Sequence, residues 1–206
     1  GRYELAREGG HSEHRILHHK DITGHEIERA LMRRVKRHHN IEIYEHHFAV
    51  DILTQHHLGE FVTRHTRGLA CFGAYVLDLT TNAIETVLAK FTVVAAGGCG
   101  NVYSTTTNPV VATGDGIAMA KAVGADLVDM EQIQTHPTVN PDTQTMYTEG
   151  VRGNGAILVN KEGKRFVSEM ETRDVVSAAI LQQTDGVCYM VFDQAVRDSL
   201  KAIESY

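Results

Sequence analysis

The segment Phe91-Thr-Val-Val-Ala-Ala-Gly-Gly is the feature that most constrains the fold of this chain. It is a continuous apolar run without the alternation of a half-exposed strand, so it predicts a strand buried on both faces, as in a parallel sheet. Glycines at the end of such a strand let the backbone approach a ligand at the carboxyl edge of the sheet. The segment therefore predicts an α/β fold with a ligand site near Gly97 and Gly98.

The remaining segments predict further helices and strands and one domain boundary. Apolar spacing, capping residues and turn residues predict the elements. Helices are expected at 24–38, 117–123, 173–183 and 194–203, a strand at 41–53, a hairpin of 71–79 with 84–90, and strands at 156–159, 165–167 and 188–192. The pattern changes after Met130, so we expect half of a nucleotide-binding α/β domain with a β-meander over 1–129. An α+β domain over 130–206 should follow, which makes the chain α+β overall.

Charge and composition limit the classes of partner. The formal net charge of -6 argues against nucleic acid, and no apolar run is long enough to cross a membrane. Cys71, Cys99 and Cys188 are far apart and odd in number, which indicates neither a zinc site nor a disulfide framework. A reducing, cytoplasmic location fits these cysteines best.

Histidine is unusually frequent in the first third of the chain. Twelve of the 13 histidines lie at or before His65, and four His-His pairs occur. His11, His14 and His18 have helical spacing, so a histidine-based metal site is an alternative to be tested. No carboxylate or cysteine set completes a ligand pattern, so incidental histidines are favoured and no metal is expected.

The stretch from Gln134 to Arg173 carries the residues suited to acid–base chemistry. His136 is followed by Pro and Thr, and Glu149, Arg152 and Arg173 lie among glycines and hydroxyls rather than on a charged face. Arginine binds carboxylates through paired, charge-assisted hydrogen bonds. Glu149 precedes Arg152 by three residues, a spacing suited to a proton relay between the two. The stretch therefore predicts a site that binds a small dicarboxylate and moves a proton.

The sequence motifs expected for nucleotide binding are incomplete in this chain. The turn Gly97-Gly98-Cys99-Gly100 is compatible with a pyrophosphate but is weak alone, and no complete GxGxxG follows a first strand. Gly114 and Asp115 are predicted to open a helix, whose N-terminus favours anions, while Asp115 could instead accept hydrogen bonds from ligand hydroxyls.

Several motifs together resemble the L-aspartate oxidase family, flavoproteins related to fumarate reductase and to the succinate dehydrogenase flavoprotein. The resemblance covers nearly the whole chain. It rests on Arg7-Glu8-Gly9-Gly10-His11-Ser12, Ala49-Val50-Asp51, Ala96-Gly97-Gly98, Thr106-Thr107-Asn108-Pro109, Gly114-Asp115-Gly116-Ile117-Ala118 and His136-Pro137-Thr138. From about Tyr147 onward, the motifs look closer to soluble fumarate reductases of the flavocytochrome type.

The resemblance implies a fold, a cofactor and a reaction. It implies part of a Rossmann-like FAD-binding domain followed by part of a substrate-capping domain. Residues along the FAD would be Ala49, Val50, Ala96, Gly97, Gly98, Asn108, Gly114 and Asp115. The expected reaction is oxidation of L-aspartate to iminoaspartate for NAD biosynthesis, with oxygen or fumarate as acceptor and quinolinate synthase as a downstream partner.

The resemblance also implies roles for the residues of the predicted dicarboxylate site. Arg173 would exchange a proton with the substrate carbon, Glu149 and Arg152 would relay it, and His136 and Thr148 would hold a substrate carboxylate. Glu8 would face the ammonium of L-aspartate, where fumarate reductases are expected to have a neutral amide. The alternatives are a soluble fumarate reductase or succinate dehydrogenase flavoprotein, and an inactive fragment or scaffold that lacks flavin.

Overall fold

A computed structural model describes residues 5–7, 11–20, 22–63 and 65–199 of the 206-residue chain. Every strand pair among these residues is antiparallel. The mixture of helices and strands confirms the predicted fold class. The elements are β1 (Leu5–Ala6), β2 (Ile16–Leu17), α1 (Thr23–Val35), β3 (His47–Thr54), β4 (Cys71–Asp78), β5 (Ala83–Leu88), α2 (Asp115–Ala122), α3 (Glu149–Gly153), β6 (Ile157–Val159), α4 (Arg173–Leu181), β7 (Tyr189–Val191) and α5 (Gln194–Ser199).

The chain divides into two compact units. One unit is His39–Glu131, and the other combines the described parts of Gly1–His38 and Gln132–Tyr206. The first unit holds β3, β4, β5 and α2, and the second holds the remaining helices and strands. The division into a cofactor domain over 1–129 and a capping domain over 130–206 stays a prediction.

Strands β3, β4 and β5 form an antiparallel meander in that order. The hairpin between β4 and β5 turns at Asn82, whose φ of 59° is a left-handed conformation that asparagine tolerates. Asp78 receives hydrogen bonds from the Thr81 hydroxyl and the Thr80 amide, both at 2.7 Å. These bonds, the Thr81 bond foremost, lower the pKa of Asp78 to about 2. The predicted hairpin is confirmed.

Two predicted strand segments are not formed, and a third, 165–167, is reduced to an isolated bridge at Arg165. Residues 41–46 are not extended strand, because His46 has a φ of 59° and β3 starts only at His47. The apolar run 91–98 is not paired, and Phe91 and Val93 are 89% and 86% exposed. A strand buried in a parallel sheet needs a neighbour on each edge, and none of the described strands pairs with this run. The prediction of a buried parallel strand at 91–98 was therefore wrong for this structure.

The second unit positions the predicted dicarboxylate site. Strand β6 pairs with β7, and Leu158 of β6 packs against Val176 and Ile180 of α4; Leu158 and Val176 have no measurable exposure. A single bridge from Val159 to Arg165 closes the turn at 160–164. The predicted helix at 173–183 is confirmed as α4. Helix α4 begins at Arg173, one turn before the Val176 that packs against β6.

Helix α1 confirms the predicted first helix but has no buried residue. None of the described helices is long and apolar enough to cross a membrane.

Gly73 in β4 gives a test of the meander. Its φ is 136°, and a Cβ at this position would overlap the carbonyl oxygen of Val87 on β5. Gly73→Ala is expected to destabilise the chain by more than about 1 kcal/mol, since both the backbone conformation and the space are unsuitable for a side chain. Urea unfolding followed by circular dichroism measures the change.

Gly24→Ala is the matched control, because Gly24 lies in α1 and a Cβ added there would have no heavy atom of the described part of the chain within 4 Å. Alanine there favours the helix by up to about 1 kcal/mol. Equal unfolding midpoints for the two variants would contradict the role given to Gly73.

Candidate active site

Helix α3 brings the first two charged residues of the site together. Thr148 caps the helix, because its Oγ1 accepts the amide N–H of Gly150 at 3.3 Å. Glu149 and Arg152 are then three residues apart on one short helix, and Arg152 Nη2 donates to Glu149 Oε1 at 3.0 Å. The predicted spacing therefore produces a direct ion pair.

The first residue of α4 completes a chain of hydrogen bonds. Arg173 Nε donates to the same Glu149 Oε1 at 2.7 Å, and Arg173 Nη1 donates to Gln134 Oε1 at 2.6 Å. One carboxylate oxygen thus accepts from two guanidinium groups. We call Arg152, Glu149 and Arg173 the Arg–Glu–Arg chain.

Burial and neighbouring charges have opposite effects on the pKa values of Glu149 and Arg152. Glu149 is 8% exposed and Arg152 is 2% exposed, whereas 37% of the Arg173 side chain is exposed. Burial alone would raise the pKa of Glu149, but the hydrogen bond and charge of Arg173, helped by Arg152, hold it below its ordinary value. Burial lowers the pKa of Arg152, and the charge of Glu149 opposes this. Glu149 is therefore ionised at neutral pH.

His136 belongs to the same electrostatic environment. Its Nδ1 accepts the amide N–H of Thr138 at 3.3 Å, so the neutral ring carries its proton on Nε2. Burial, followed by the positive charge of Arg173, lowers the pKa of His136. A neutral imidazole that presents an Nε2–H donor can bind a carboxylate oxygen.

The loop that carries His136 is tied to the start of α3. Thr138 is 5% exposed, and its hydroxyl donates to the carbonyl oxygen of Tyr147 at 3.0 Å. Tyr147 directly precedes Thr148, whose hydroxyl accepts one bond and still has a proton to donate. The structure thus brings His136, Thr148 and the Arg–Glu–Arg chain into one unit.

Glu8, the predicted partner of the substrate ammonium, lies outside the described residues. Its neighbour Arg7 is described and lies against α3. A Cβ added to Gly153 would come within 2.7 Å of the Arg7 carbonyl oxygen. The segment before Glu8 therefore reaches the helix that carries Glu149.

Sequence reasoning missed two residues of this site. Gln134 opened the predicted stretch but was given no role, and it accepts from Arg173 across 39 residues. The carbonyl of Glu169 accepts from Arg152 Nη1 at 2.8 Å across 17 residues. The four-residue spacing of Arg165 and Glu169 is the one sequence signal that could have drawn attention to Glu169.

A pocket of about 660 Å³ lies in the same unit. It is lined by Thr138, Tyr147 and Val151, among others, and by no member of the Arg–Glu–Arg chain. We place the candidate site at that chain, because its chemistry rather than the pocket's volume fits a dicarboxylate.

The other unit brings most of the predicted cofactor residues together through glycines. A Cβ on Gly114 would lie 2.9 Å from Cys99 Cβ, and a Cβ on Gly100 would lie 2.6 Å from Asn108 Cγ. A Cβ on Gly116 would meet Ala96 Cβ at 2.7 Å. The turn at 96–100 is therefore packed closely against the start of α2 and against Asn108.

This region fits a bound nucleotide group. No heavy atom of the described residues lies within 4 Å of a Cβ built on Gly97 or on Gly98, and both glycines are exposed. Gly97 has a φ of 74°. Asp115, the first residue of α2, accepts the Thr113 hydroxyl at 2.7 Å and remains exposed to a ligand hydroxyl. The uncovered glycines beside a helix N-terminus are suited to FAD phosphates.

Ala49 and Val50 lie on β3, where the pairing with β4 shifts register between Ala49 and Asp51. Both are exposed. Strand β3 contacts α2. The predicted cofactor residues thus lie on one unit, and their roles stay predictions.

Metal ligands do not gather in the described part of the chain: no group of three His, Cys, Asp or Glu side chains is suitably placed there. The three cysteines, all within the described residues, are free thiols.

Comparison with known proteins identifies the family. A family described as FAD binding domain matches residues 1–202. The chain belongs to this family. The predicted cofactor, FAD, and the predicted FAD-binding fold are thereby confirmed.

Named relatives agree with the resemblance seen in the motifs. The chain is 42% identical over 213 residues to a chloroplastic L-aspartate oxidase of Oryza sativa subsp. japonica, covering 94% of this chain and 32% of that protein. It is 43% identical over 187 residues to L-aspartate oxidase 1 of Ralstonia nicotianae, covering 86% and 34%. The chain thus spans about a third of the length of these relatives.

Solved structures point to the related reductases. A flavocytochrome c3 fumarate reductase in its open conformation matches with a TM-score of 0.67 and 32% identity, over 98% of this chain and 36% of that chain. A quinol-fumarate reductase with menaquinol molecules matches with a TM-score of 0.81 and 27% identity, over 98% and 38%.

Glu149→Gln tests the electrostatics of the site. Removal of the charge leaves two guanidinium groups without their shared carboxylate, and we expect a loss of about 2–3 kcal/mol at neutral pH. This is at or below the range for a broken buried ion pair, because Arg173 is partly exposed. Urea unfolding at neutral and acidic pH measures the loss.

The difference in the free energy of unfolding between the parent chain and Glu149→Gln should become smaller at acidic pH. The pKa of Glu149 is lowered in the folded state, so its contribution is complete above the unfolded pKa of about 4.3 and is lost as the pH falls through the folded value. Glu162→Gln, at an exposed position, is the control. An equal loss at both pH values would contradict this account.

Proposed function

We propose that this chain serves in an FAD-dependent oxidation of L-aspartate to iminoaspartate. The observation that carries the proposal is the shared Glu149 oxygen, which joins Arg152 and Arg173 at 3.0 and 2.7 Å beside a half-buried His136. The similarity of the chain to L-aspartate oxidases over most of its own length supports the choice of substrate.

The substrate would be held by its two carboxylates. His136 Nε2–H and the Thr148 hydroxyl are donors suited to one of them, and the partly exposed guanidinium of Arg173 adds positive charge. Charged donors orient a dicarboxylate more strongly than neutral ones. These groups would fix the substrate carbon relative to Arg173.

Oxidation of L-aspartate to iminoaspartate removes one hydride and one proton from the substrate. Before it takes that proton, the Arg173 guanidinium would release one of its own to Glu149 along the hydrogen bond that already joins them. The neutral guanidine of Arg173 would then accept the substrate proton and become charged again. Glu149 would return to its ionised form by exchange through its hydrogen bond with Arg152. Burial lowers the pKa of Arg152 and so eases its exchange of a proton with Glu149. The partly exposed Arg173 is the member of the chain that can meet the substrate.

FAD, when bound, would accept the hydride and would be reoxidised by oxygen or fumarate. Gly97, Gly98 and Asn108, with Gly114 and Asp115 at the start of α2, are the residues that would hold it. The remaining predicted positions are Ala49, Val50 and Ala96.

The second candidate is fumarate reduction, with the hydride moving in the opposite direction. The same proton relay serves both directions, and the similarity to flavocytochrome c3 fumarate reductase favours this alternative. Glu8 is the discriminating residue, since a carboxylate pairs with the ammonium of aspartate and only repels fumarate.

Location and partners belong to the same proposal. Three free cysteines suit a reducing compartment, and we propose the cytoplasm, although the rice relative is named chloroplastic. A quinolinate synthase, as the consumer of iminoaspartate, is the proposed downstream partner.

Arg173→Met tests the proton relay. The chain is mixed with FAD, and L-aspartate is added without oxygen; we expect bleaching of the flavin absorbance in the parent chain. The variant should bleach slower by roughly 10²–10⁴-fold, because its general acid–base group is gone. Arg33→Met, at an exposed position of α1, should behave like the parent chain. A parent chain that binds no FAD, or equal rates in the two variants, would argue against the proposal.

Glu8→Gln tests the choice of substrate. Loss of the carboxylate should weaken L-aspartate turnover at least about tenfold while leaving or improving fumarate reduction, as expected for removal of an interfacial charge partner. Rates with both substrates are compared in the same preparation. Unchanged aspartate turnover would remove Glu8 from the account and favour the fumarate reductase alternative.

A further inference from the structure

Glu169 is a buried acid next to the Arg–Glu–Arg chain. It is 5% exposed, and its Oε1 accepts the amide N–H of Leu158 at 2.9 Å. Arg165 donates its Nε to Oε1 at 3.2 Å and its Nη2 to Oε2 at 2.6 Å. Because Leu158 is a fully buried residue of β6, these bonds fix the Glu169 carboxylate to the core of the unit.

The main chain of the same residue holds Arg152. The Glu169 carbonyl oxygen accepts from Arg152 Nη1 at 2.8 Å, while Arg152 Nη2 donates to Glu149 at 3.0 Å. A planar guanidinium that is bound at both terminal nitrogens has one orientation. The position of the Glu169 carbonyl therefore decides which way Arg152 faces Glu149.

We propose that Glu169 is a positioning residue for the Arg–Glu–Arg chain. Its carboxylate anchors the segment 165–169 to β6, and its carbonyl thereby holds Arg152 in the orientation that reaches Glu149. The inference rests on the proposed function only for its catalytic meaning, since the anchoring itself needs neither flavin nor substrate.

Electrostatics supports the same role. Burial would raise the pKa of Glu169, but the hydrogen bond from Arg165 and the Leu158 amide outweigh it and hold the pKa below its ordinary value. Burial lowers the pKa of Arg152, and the negative charges of Glu149 and Glu169 oppose that effect. Glu169 thus adds a fixed negative charge behind Arg152 as well as an acceptor.

Arg152 offers a direct probe of this anchoring. Its Nε is buried and has no acceptor within the described part of the chain. Exchange of the Nε proton with water therefore requires the side chain to leave its site. Nitrogen-15 NMR of the arginine side chains, with the Arg152 signal assigned through Arg152→Lys, measures this exchange in the chain without added ligand.

Glu169→Ala is expected to speed Arg152 Nε exchange on the order of tenfold, because the carbonyl that holds Nη1 is no longer anchored. Glu169→Gln keeps an acceptor for the Leu158 amide and should recover part of the protection. Glu171→Ala, at an exposed position two residues along, should leave the exchange unchanged. The amide of Tyr147, bound to the Thr138 carbonyl at 3.0 Å, reports general loosening and should stay protected.

Arg165→Gln gives the same test if the alanine variant does not fold, since Arg165 is 58% exposed and its loss releases the carboxylate from one side only. Unchanged Arg152 exchange in the folded variants overturns the proposal. So does an equal rise at Tyr147, which would mean a general loss of structure. Because no flavin or dicarboxylate is present, absence of L-aspartate turnover leaves this result untouched.

Discussion

Two guanidinium groups share one oxygen of Glu149, and the geometry of the candidate site depends on that carboxylate. Arg152 reaches it from within α3, and Arg173 reaches it from the start of α4. Without a charge at Glu149, two guanidinium groups would lie close together in a partly buried site. Water would screen their repulsion only weakly there, so the folded state would be destabilised. The ion pair therefore joins two helices that the sequence separates by 24 positions.

The part of this site that sequence could predict was the part with short-range or chemically distinctive signals. Glu149 and Arg152 have helical spacing, and Arg173 begins a helix with a clear apolar pattern. Gln134 and Glu169 act over 39 and 17 residues, and Glu169 acts partly through its backbone carbonyl, which no residue type reveals. The β-meander was predictable because its hairpin has local turn chemistry. The exposure of the run 91–98 was not predictable, because burial depends on neighbours that are distant in sequence.

The cofactor region shows a different use of glycine from the one the sequence suggested. Gly97 and Gly98 leave the backbone uncovered, as expected for a ligand approach. Gly114 and Gly116 instead let the turn at 96–100 pack against α2, where a side chain would collide with Cys99 or Ala96. Gly97 and Gly98 thus remain open to the proposed ligand, whereas Gly114 and Gly116 allow close contact between segments of the chain.

The unpaired run 91–98 has a consequence for the behaviour of the chain in solution. Its exposed valines and Phe91 combine β-branched and aromatic side chains with backbone N–H and C=O groups that no described strand pairs. Such a segment is a template for strand addition between molecules. Lys90, just before it, supplies one positive charge of the kind that discourages such pairing. The run 91–98 is therefore a segment through which two copies of the chain could associate.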